Sequence, residues 1–158
     1  MEQLPDVATL VAIYNQINQY GQANGMVLSV TAPGQVDYSM TIRPEHLSSP
    51  GTCHGGVLAG LMDAALGAAA LSLAFTAGEL VSTVEFKINY LHPVRLHDEL
   101  VARGRVEHTG KTLVVATADI ACPARNLVVA RGLGTFNRYP ADKRDFHHLL
   151  FPDADSGE

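Results

Sequence analysis

The longest apolar stretch lies at the centre of the chain and predicts one long buried helix. From about Gly55 to about Ala77 the residues are nearly all small or aliphatic, and Asp63 is the only charged one. Gly78 follows, and glycine commonly ends a helix in the left-handed conformation. A helix that is apolar on every side must be enclosed by other elements of the fold.

Patterns typical of strands lie on both sides of this helix. Residues 80–91 alternate, which assigns Val84, Phe86, Ile88 and Tyr90 to one face. One long helix with a run of antiparallel strands indicates an α+β fold, in which a curved sheet of five to six strands wraps the helix. The other strands are expected at 26–32 and 35–43, joined by a Pro33-Gly34 turn, at 99–108 and 112–121, joined around Gly110, and at 126–137.

The two ends of the chain are expected to differ in order. Residues 5–20 predict an amphipathic helix that has Pro5 in its first turn. From Pro140 onwards the chain is acidic and polar, and we interpret 140–158 as a loosely held tail. The 158 residues therefore form a single domain with its core at about 26–138. The apolar positions of the first helix are Val7, Leu10, Val11, Tyr14 and Ile17.

Composition excludes several classes of function. The net charge is −5 and no basic run exceeds two residues, which argues against nucleic acid as a partner. Cys53 and Cys122 form no CxxC pair, so neither a disulfide framework nor a zinc site is expected. With 47% apolar and 17% charged residues, the chain is expected to form oligomers.

The N-terminus lacks the pattern of a signal peptide, and we expect a cytoplasmic protein. Val57–Ala77 is as long as the ~20 residues of a membrane span. It lacks the flanking basic residues and aromatic anchors of such spans, and strand patterns follow it directly. We therefore predict no membrane span.

Asp63 is the most informative single residue. A carboxylate inside an apolar helix is costly unless it bonds a partner or performs chemistry. It can be a structural group bonded to a neighbouring strand or subunit. It can equally be a general base or nucleophile, and we favour this second interpretation.

His54-Gly55-Gly56 at the start of the same helix is the second signal. The first turn of a helix has free N–H groups and the positive end of the dipole. Two glycines there let a carbonyl approach the backbone closely, as an oxyanion site requires. The triplet alone also fits a tight turn into a helix, and His54 alone fits a structural histidine.

These two signals point to a dimer. Eight residues separate Gly55 from Asp63, which is roughly 12 Å along a helix. Attack on a carbonyl requires a distance of about 3 to 3.5 Å. One chain therefore cannot easily bring both groups to one substrate, whereas two antiparallel copies of the helix can.

Three features of the sequence resemble the hotdog-fold acyl-CoA thioesterases of the phenylacetyl-CoA thioesterase type. They are the residues 51–56, the position of Asp63 nine residues after His54, and the segment 81–93. The resemblance spans about 26–138. It implies a homodimer or homotetramer with active sites between subunits. It also implies hydrolysis of an acyl-CoA without a metal or bound cofactor, since coenzyme A is part of the substrate.

The same resemblance implies roles for single residues. Asp63 corresponds to the catalytic acid, Gly55 to the carbonyl-polarising amide with Gly56 beside it, and His54 to the residue that orients the thioester. Thr83, with Ser82 adjacent, corresponds to a hydroxyl residue that places water. Ser48 stands where the family commonly has asparagine, and its shorter reach puts that role in doubt.

Basic residues that could meet the phosphates of coenzyme A are Lys111, Arg103, Arg105 and Arg131, of which Lys111 at a turn is preferred; each also fits a solvated surface charge. A thiol nucleophile at Cys53 is disfavoured because no base is evident beside it.

Two other functions stay open on the sequence. The first is a hydratase or dehydratase of 3-hydroxyacyl thioesters, in which His46 or His54 would pair with the helix acid. The second is a non-catalytic acyl-CoA-binding protein. Crotonyl-CoA separates hydrolysis, which releases a thiol, from hydration, which does not.

Overall fold

Helix α3 (Gly55–Ala74) is the element around which the rest of the chain is arranged in the computed structural model, which describes residues 6–143. Two shorter helices precede it, α1 (Val7–Ile17) and α2 (Gln19–Ala23). The six strands are β1 (Val27–Ala32), β2 (Gln35–Thr41), β3 (Glu79–Tyr90), β4 (Glu99–Thr109), β5 (Leu113–Cys122) and β6 (Leu127–Pro140).

The six strands form one antiparallel sheet in the order β1-β2-β4-β5-β6-β3. The connection from β2 to β4 skips β3, because α3 and β3 intervene in the chain and β3 pairs with β6 at the far edge. Strands β1 and β3 are thus the two edges. The curved sheet packs on α3, which confirms the predicted fold.

Small residues let helix and sheet approach closely. A Cβ on Gly104 of β4 would collide with the carbonyl oxygen of Ala65, and one on Gly132 of β6 would lie 2.5 Å from Sδ of Met62. The helix therefore rests on the strand backbone itself, and its sheet-facing side chains are fully buried. These buried residues are Leu58, Leu61, Met62, Ala65, Leu66, Ala68, Ala69, Ala70 and Ala74.

By length and composition, Gly55–Ala77 is the one helical segment in the described chain that could cross a membrane, with a mean hydropathy of 1.8. Half of its most apolar window is buried inside the fold. This is the burial expected of a core helix, because the sheet already covers much of its apolar surface.

The ends of the helices follow the expected rules in part. Gly78 ends the central helix with a φ of +71°, as predicted. The Asp6 carboxylate caps α1 and accepts the Thr9 N–H at 2.9 Å. The predicted helix over 5–20 is divided, because Asn18 leaves helical geometry (ψ 85°) and caps α2. Pro5 and the tail beyond 143 lie outside the described residues.

A bulge interrupts the alternation predicted for β3. The register with β6 shifts between Thr83 and Glu85, and Val84 between them is 58% exposed. Phe86 and Ile88 are half-buried. Assigning Val84 to the same face as these two residues was therefore wrong, because an extra residue in one strand rotates the side chains beyond it.

The loop before α3 is held in place by hydrogen bonding to a second loop. The Cys53 N–H donates to the carbonyl of Val94 at 2.8 Å, which ties this loop to residues 93–98. A partly buried ion pair, Arg125 to Asp98 at 2.6 Å, holds that second loop. The start of α3 is thus positioned through two loops and one ion pair.

Candidate active site

The Asp63 carboxylate lies on α3 beside strand β3. It is half-buried, and its Oδ1 accepts a hydrogen bond from the Thr83 hydroxyl at 2.9 Å. Among residues 6–143 it forms no ion pair. A carboxylate held by one hydroxyl and otherwise open keeps oxygen lone pairs for a substrate or a water.

A cleft of about 410 Å³ opens at Asp63. Gly60 gives it room, because a Cβ there would collide with the Tyr20 hydroxyl. Burial raises the pKa of Tyr14, and the nearby charge of Asp63 raises it further against the lowering effect of a hydrogen bond with Tyr38. The cleft is lined by Tyr14, Asn18, Tyr20, Ala59, Gly60, Asp63, Ala64 and Phe86.

His54 is the N-cap of α3. Its Nδ1 accepts the Gly56 N–H at 2.8 Å, so the proton of the neutral ring is on Nε2. The Gly56 amide is therefore occupied within the chain. The Gly55 N–H has no acceptor among the described residues and is the free donor at the positive end of the helix.

Tyr90 contributes to the helix start from β3. Its hydroxyl donates to the carbonyl oxygen of Gly55 at 2.8 Å, although the side chain is 51% exposed. This contact fixes the peptide next to the free amide. Sequence reasoning assigned no role to Tyr90, because nothing local links a strand residue to a glycine 35 positions earlier.

The two serines proposed from the sequence lie apart from the carboxylate. The Ser48 hydroxyl donates to the carbonyl of Thr52 at 3.0 Å and closes the turn ahead of His54. Ser82 is exposed on β3, and successive residues of a strand point to opposite faces, so it does not share the position of Thr83.

The arginines proposed for phosphate binding are exposed on the sheet face that points away from α3. The residues that alternate with them, such as Gly104, point towards α3. Each pairs with a carboxylate there. The pairs are Arg103–Asp37 at 3.9 Å, Arg105–Glu107 at 2.6 Å and Arg131–Asp119 at 3.1 Å. Lys111 is exposed at the β4–β5 turn.

His46 and Cys53 are enclosed and line none of the clefts described here. His46 is 2% exposed, and burial, together with the charge of Arg43, lowers its pKa. Burial raises the pKa of Cys53 to about 11, so the group stays a thiol at neutral pH. Within residues 6–143 no cluster of three or more His, Cys, Asp or Glu side chains could hold a metal.

The fold and these residues define a class of protein. A family model described as the thioesterase superfamily matches residues 50–129, which include the helix start and Asp63. Human acyl-coenzyme A thioesterase 13 is 33% identical over 111 residues, which are 70% of this chain and 77% of that protein. The chain belongs to the thioesterase superfamily and is a thioester hydrolase with the hotdog fold, as the sequence resemblance indicated.

Two solved structures are similar over most of the chain. The PaaI protein of the phenylacetic acid degradation operon of Escherichia coli has a TM-score of 0.75 and 27% identity, covering 84% of this chain and 93% of that one. A thioesterase-like protein of Streptococcus pneumoniae, solved with coenzyme A, has a TM-score of 0.66 and 27% identity, covering 73% and 89%.

Proposed function

We propose that the protein hydrolyses acyl-CoA thioesters as a homodimer or homotetramer, with active sites composed of two chains. Asp63 of one chain is the acid that acts at the thioester, and the Gly55 N–H of the facing chain stabilises the oxyanion. The observation that carries this proposal is the open Asp63 carboxylate bonded to Thr83, together with an unoccupied amide at the start of the same helix.

In the general-base form of the reaction, Asp63 takes a proton from water as the water oxygen attacks the carbonyl carbon. The oxyanion receives the Gly55 N–H, in a position favoured by the helix dipole. The carbon–sulfur bond then breaks, the sulfur takes a proton, and a carboxylic acid and free coenzyme A leave. In the nucleophilic form, the Asp63 carboxylate attacks the carbonyl carbon, the carbon–sulfur bond breaks and coenzyme A leaves as its sulfur takes a proton. Water then hydrolyses the mixed anhydride to the free acid and the Asp63 carboxylate.

The separation of the two groups supports a site between chains. Asp63 and Gly55 stand roughly 12 Å apart along one helix, too far to act on the same carbonyl. Strand β3 is an edge of the sheet and carries exposed apolar side chains at Val84 and Tyr90, and Leu91, directly after it, is also exposed. An exposed edge with such side chains suits pairing with another copy.

Lys111 at the turn is the residue we propose for contact with the coenzyme A phosphates. The proposal for Arg103 and Arg105 requires that they exchange their present carboxylate partners for phosphate, since each is already in an exposed ion pair. Both cysteines are free and buried, in keeping with the reducing cytoplasm that we propose as the compartment.

The first experiment measures thiol release from an acyl-CoA panel. Asp63→Asn should lower kcat about 10²- to 10⁴-fold, the usual contribution of a general base. Thermal unfolding checks that the variant is folded. Unchanged turnover in a folded Asp63→Asn protein would refute the role of Asp63.

A second variant pair isolates the amide. Gly55 is the first residue of α3, where proline is favoured, and His54 already has the extended geometry (ψ 135°) that precedes proline. Gly55→Pro removes the N–H and should cost about 10²- to 10³-fold in kcat. Gly55→Ala places a Cβ against the same Tyr90 ring, 3.3 Å away, but keeps the N–H, and it is the matched control.

Mixing the two variants tests the shared site. In a mixed dimer of Asp63→Asn and Gly55→Pro chains, one site keeps both intact groups if they come from different chains. Random pairing should then restore about a quarter of the wild-type activity, because half of the dimers are mixed and each has one intact site of two. No restoration above either parent would show that each chain acts alone.

A further inference from the structure

A second cavity, of about 310 Å³, adjoins the Asp63 cleft. The two share Tyr14 and Asn18 in their walls. The second cavity lies between α1, the C-terminal half of α3 and the beginning of β3. Its walls are otherwise mainly aliphatic and aromatic and include Leu10, Ile13, Leu71, Phe75, Leu80 and Val81.

Helix α1 covers this cavity without filling it. None of its eleven residues is fully buried, although its inner face is apolar. Val11 and Tyr14 of the helix pack against the core, and polar bonds from Asn15 and from Asn18, which follows the helix, hold it to β1 and β2. Asn15 exchanges two hydrogen bonds with the backbone of Leu28, at 3.0 and 3.1 Å, and Asn18 donates to the Tyr38 hydroxyl at 2.9 Å.

The two cavities follow one line along α3. From Asp63 to Leu71 is eight residues, roughly 12 Å, and from Asp63 to Phe75 is twelve, roughly 18 Å. Strand β3 runs beside this line, with Val81 at the apolar cavity and Thr83 on the carboxylate. A chain whose carbonyl lies at Asp63 thus meets apolar walls for the length of several carbon atoms beyond it.

We infer that the cavity between α1 and α3 holds the tail of the acyl group, and that the preferred substrates carry an unbranched aliphatic tail of medium length. This inference rests on the proposed hydrolysis at Asp63. An acetyl group is too short to reach the apolar walls. A longer tail that enters them leaves water, and each buried methylene favours binding.

Two filling substitutions, one from each wall, test this assignment: Ile13→Phe on α1 and Leu71→Phe on α3. The matched control is Ala12→Phe, since Ala12 is exposed on α1 and lines neither cavity. The measurement is the ratio of kcat/KM for decanoyl-CoA to that for butanoyl-CoA. Both filling variants should lower this ratio at least roughly tenfold, because several methylenes lose their apolar site, and the control should keep it.

A binding measurement tests the tail site independently of the proposed hydrolysis at Asp63. Calorimetry with S-decyl-coenzyme A, a thioether that cannot be hydrolysed, should show weaker binding to both filling variants and unchanged binding to Ala12→Phe. An unchanged decanoyl-to-butanoyl ratio with unchanged thioether binding would overturn the tail site. If wild-type protein released no thiol from any acyl-CoA, the proposed hydrolysis would fall, and the thioether titration would still decide what the cavity binds.

Discussion

The Thr83 hydroxyl donates a hydrogen bond to Oδ1 of Asp63 at 2.9 Å and so joins strand β3 to helix α3 at the candidate catalytic group. Thr83 immediately precedes the bulge in β3. Because the bond uses one carboxylate oxygen, it orients the carboxylate and leaves the other oxygen to the cleft.

We predict that this hydroxyl positions Asp63. Thr83→Val keeps the shape of the side chain and removes the donor, and kcat should fall about tenfold, the equivalent of ~1.4 kcal/mol for a lost hydrogen bond to a charged group. Thr83→Ser keeps the donor and is the control. An undiminished kcat in a folded Thr83→Val protein would refute this role of the hydroxyl.

The buried His46 should make the fold sensitive to mild acid. Its pKa in the folded protein is lowered from 6.5, so the unfolded chain binds the proton more readily. The contribution of His46 to the free energy of unfolding should therefore be complete above pH 6.5 and should decrease as the pH falls towards 5. Charged neighbours act in opposite directions, since Arg43 lowers the pKa and Glu45 raises it.

Urea unfolding at several pH values between 8 and 5 measures this effect. His46→Asn places an amide oxygen where Nδ1 now accepts the Arg43 N–H at 3.0 Å, and it cannot take up a proton in this range. The slope with pH should be smaller in this variant than in the wild type. The same slope in both proteins would assign the acid sensitivity to other groups, and His108→Asn, at an exposed position, is the control.

The ion pair between Asp98 and Arg125 should stabilise the loops that position the start of α3. Burial alone would raise the pKa of Asp98, but the backbone N–H of Arg95 and the Arg125 guanidinium outweigh it and hold the pKa below 3.8. The stabilisation is thus present above pH 3.8 and is lost as the pH falls below it.

Asp98→Asn should lower the free energy of unfolding by about 2 kcal/mol at pH 7, because a partly buried guanidinium loses its charged partner. The difference from the wild type, measured by urea unfolding, should shrink as the pH falls below 3.8, because the wild-type protein then loses the stabilisation that its carboxylate provides. A difference that stays constant as the pH falls would show that the substitution acts through shape alone. Glu45→Gln, in an exposed ion pair with Arg43, is the control and should change stability little.

Much of this fold can be predicted from residue patterns because its signals are local. The start of α3 at Gly55, the stop at Gly78 just beyond its last turn, and the six strands all follow from periodicity and turn residues. The break at Asn18 and the exposed position of Val84 do not, since each depends on partners distant in sequence. Asn18 bonds Tyr38, and Val84 lies at a register shift that only pairing with β6 creates.

The candidate site divides in the same way. Asp63 and Gly55 stand out because an acid in an apolar helix and a glycine at a helix start are unusual in their own segments. Tyr14 and Tyr90 reach the site from α1 and β3, and each looks locally like an ordinary apolar position. Arg103 is the reverse case, since in the sequence it looks like a residue that could bind phosphate. Only the sheet register shows that Asp37 lies opposite it and pairs with it.

The glycine contacts beneath α3 also determine where the protein can change. At Gly104 and Gly132 the central helix rests on bare strand backbone, so larger side chains on that side would push the two layers apart. Helix α1 has no such restriction, since it spans an unfilled space and is attached through asparagines. Diversification of this enzyme, natural or engineered, should therefore accumulate in its first twenty residues while the helix–sheet seam stays fixed.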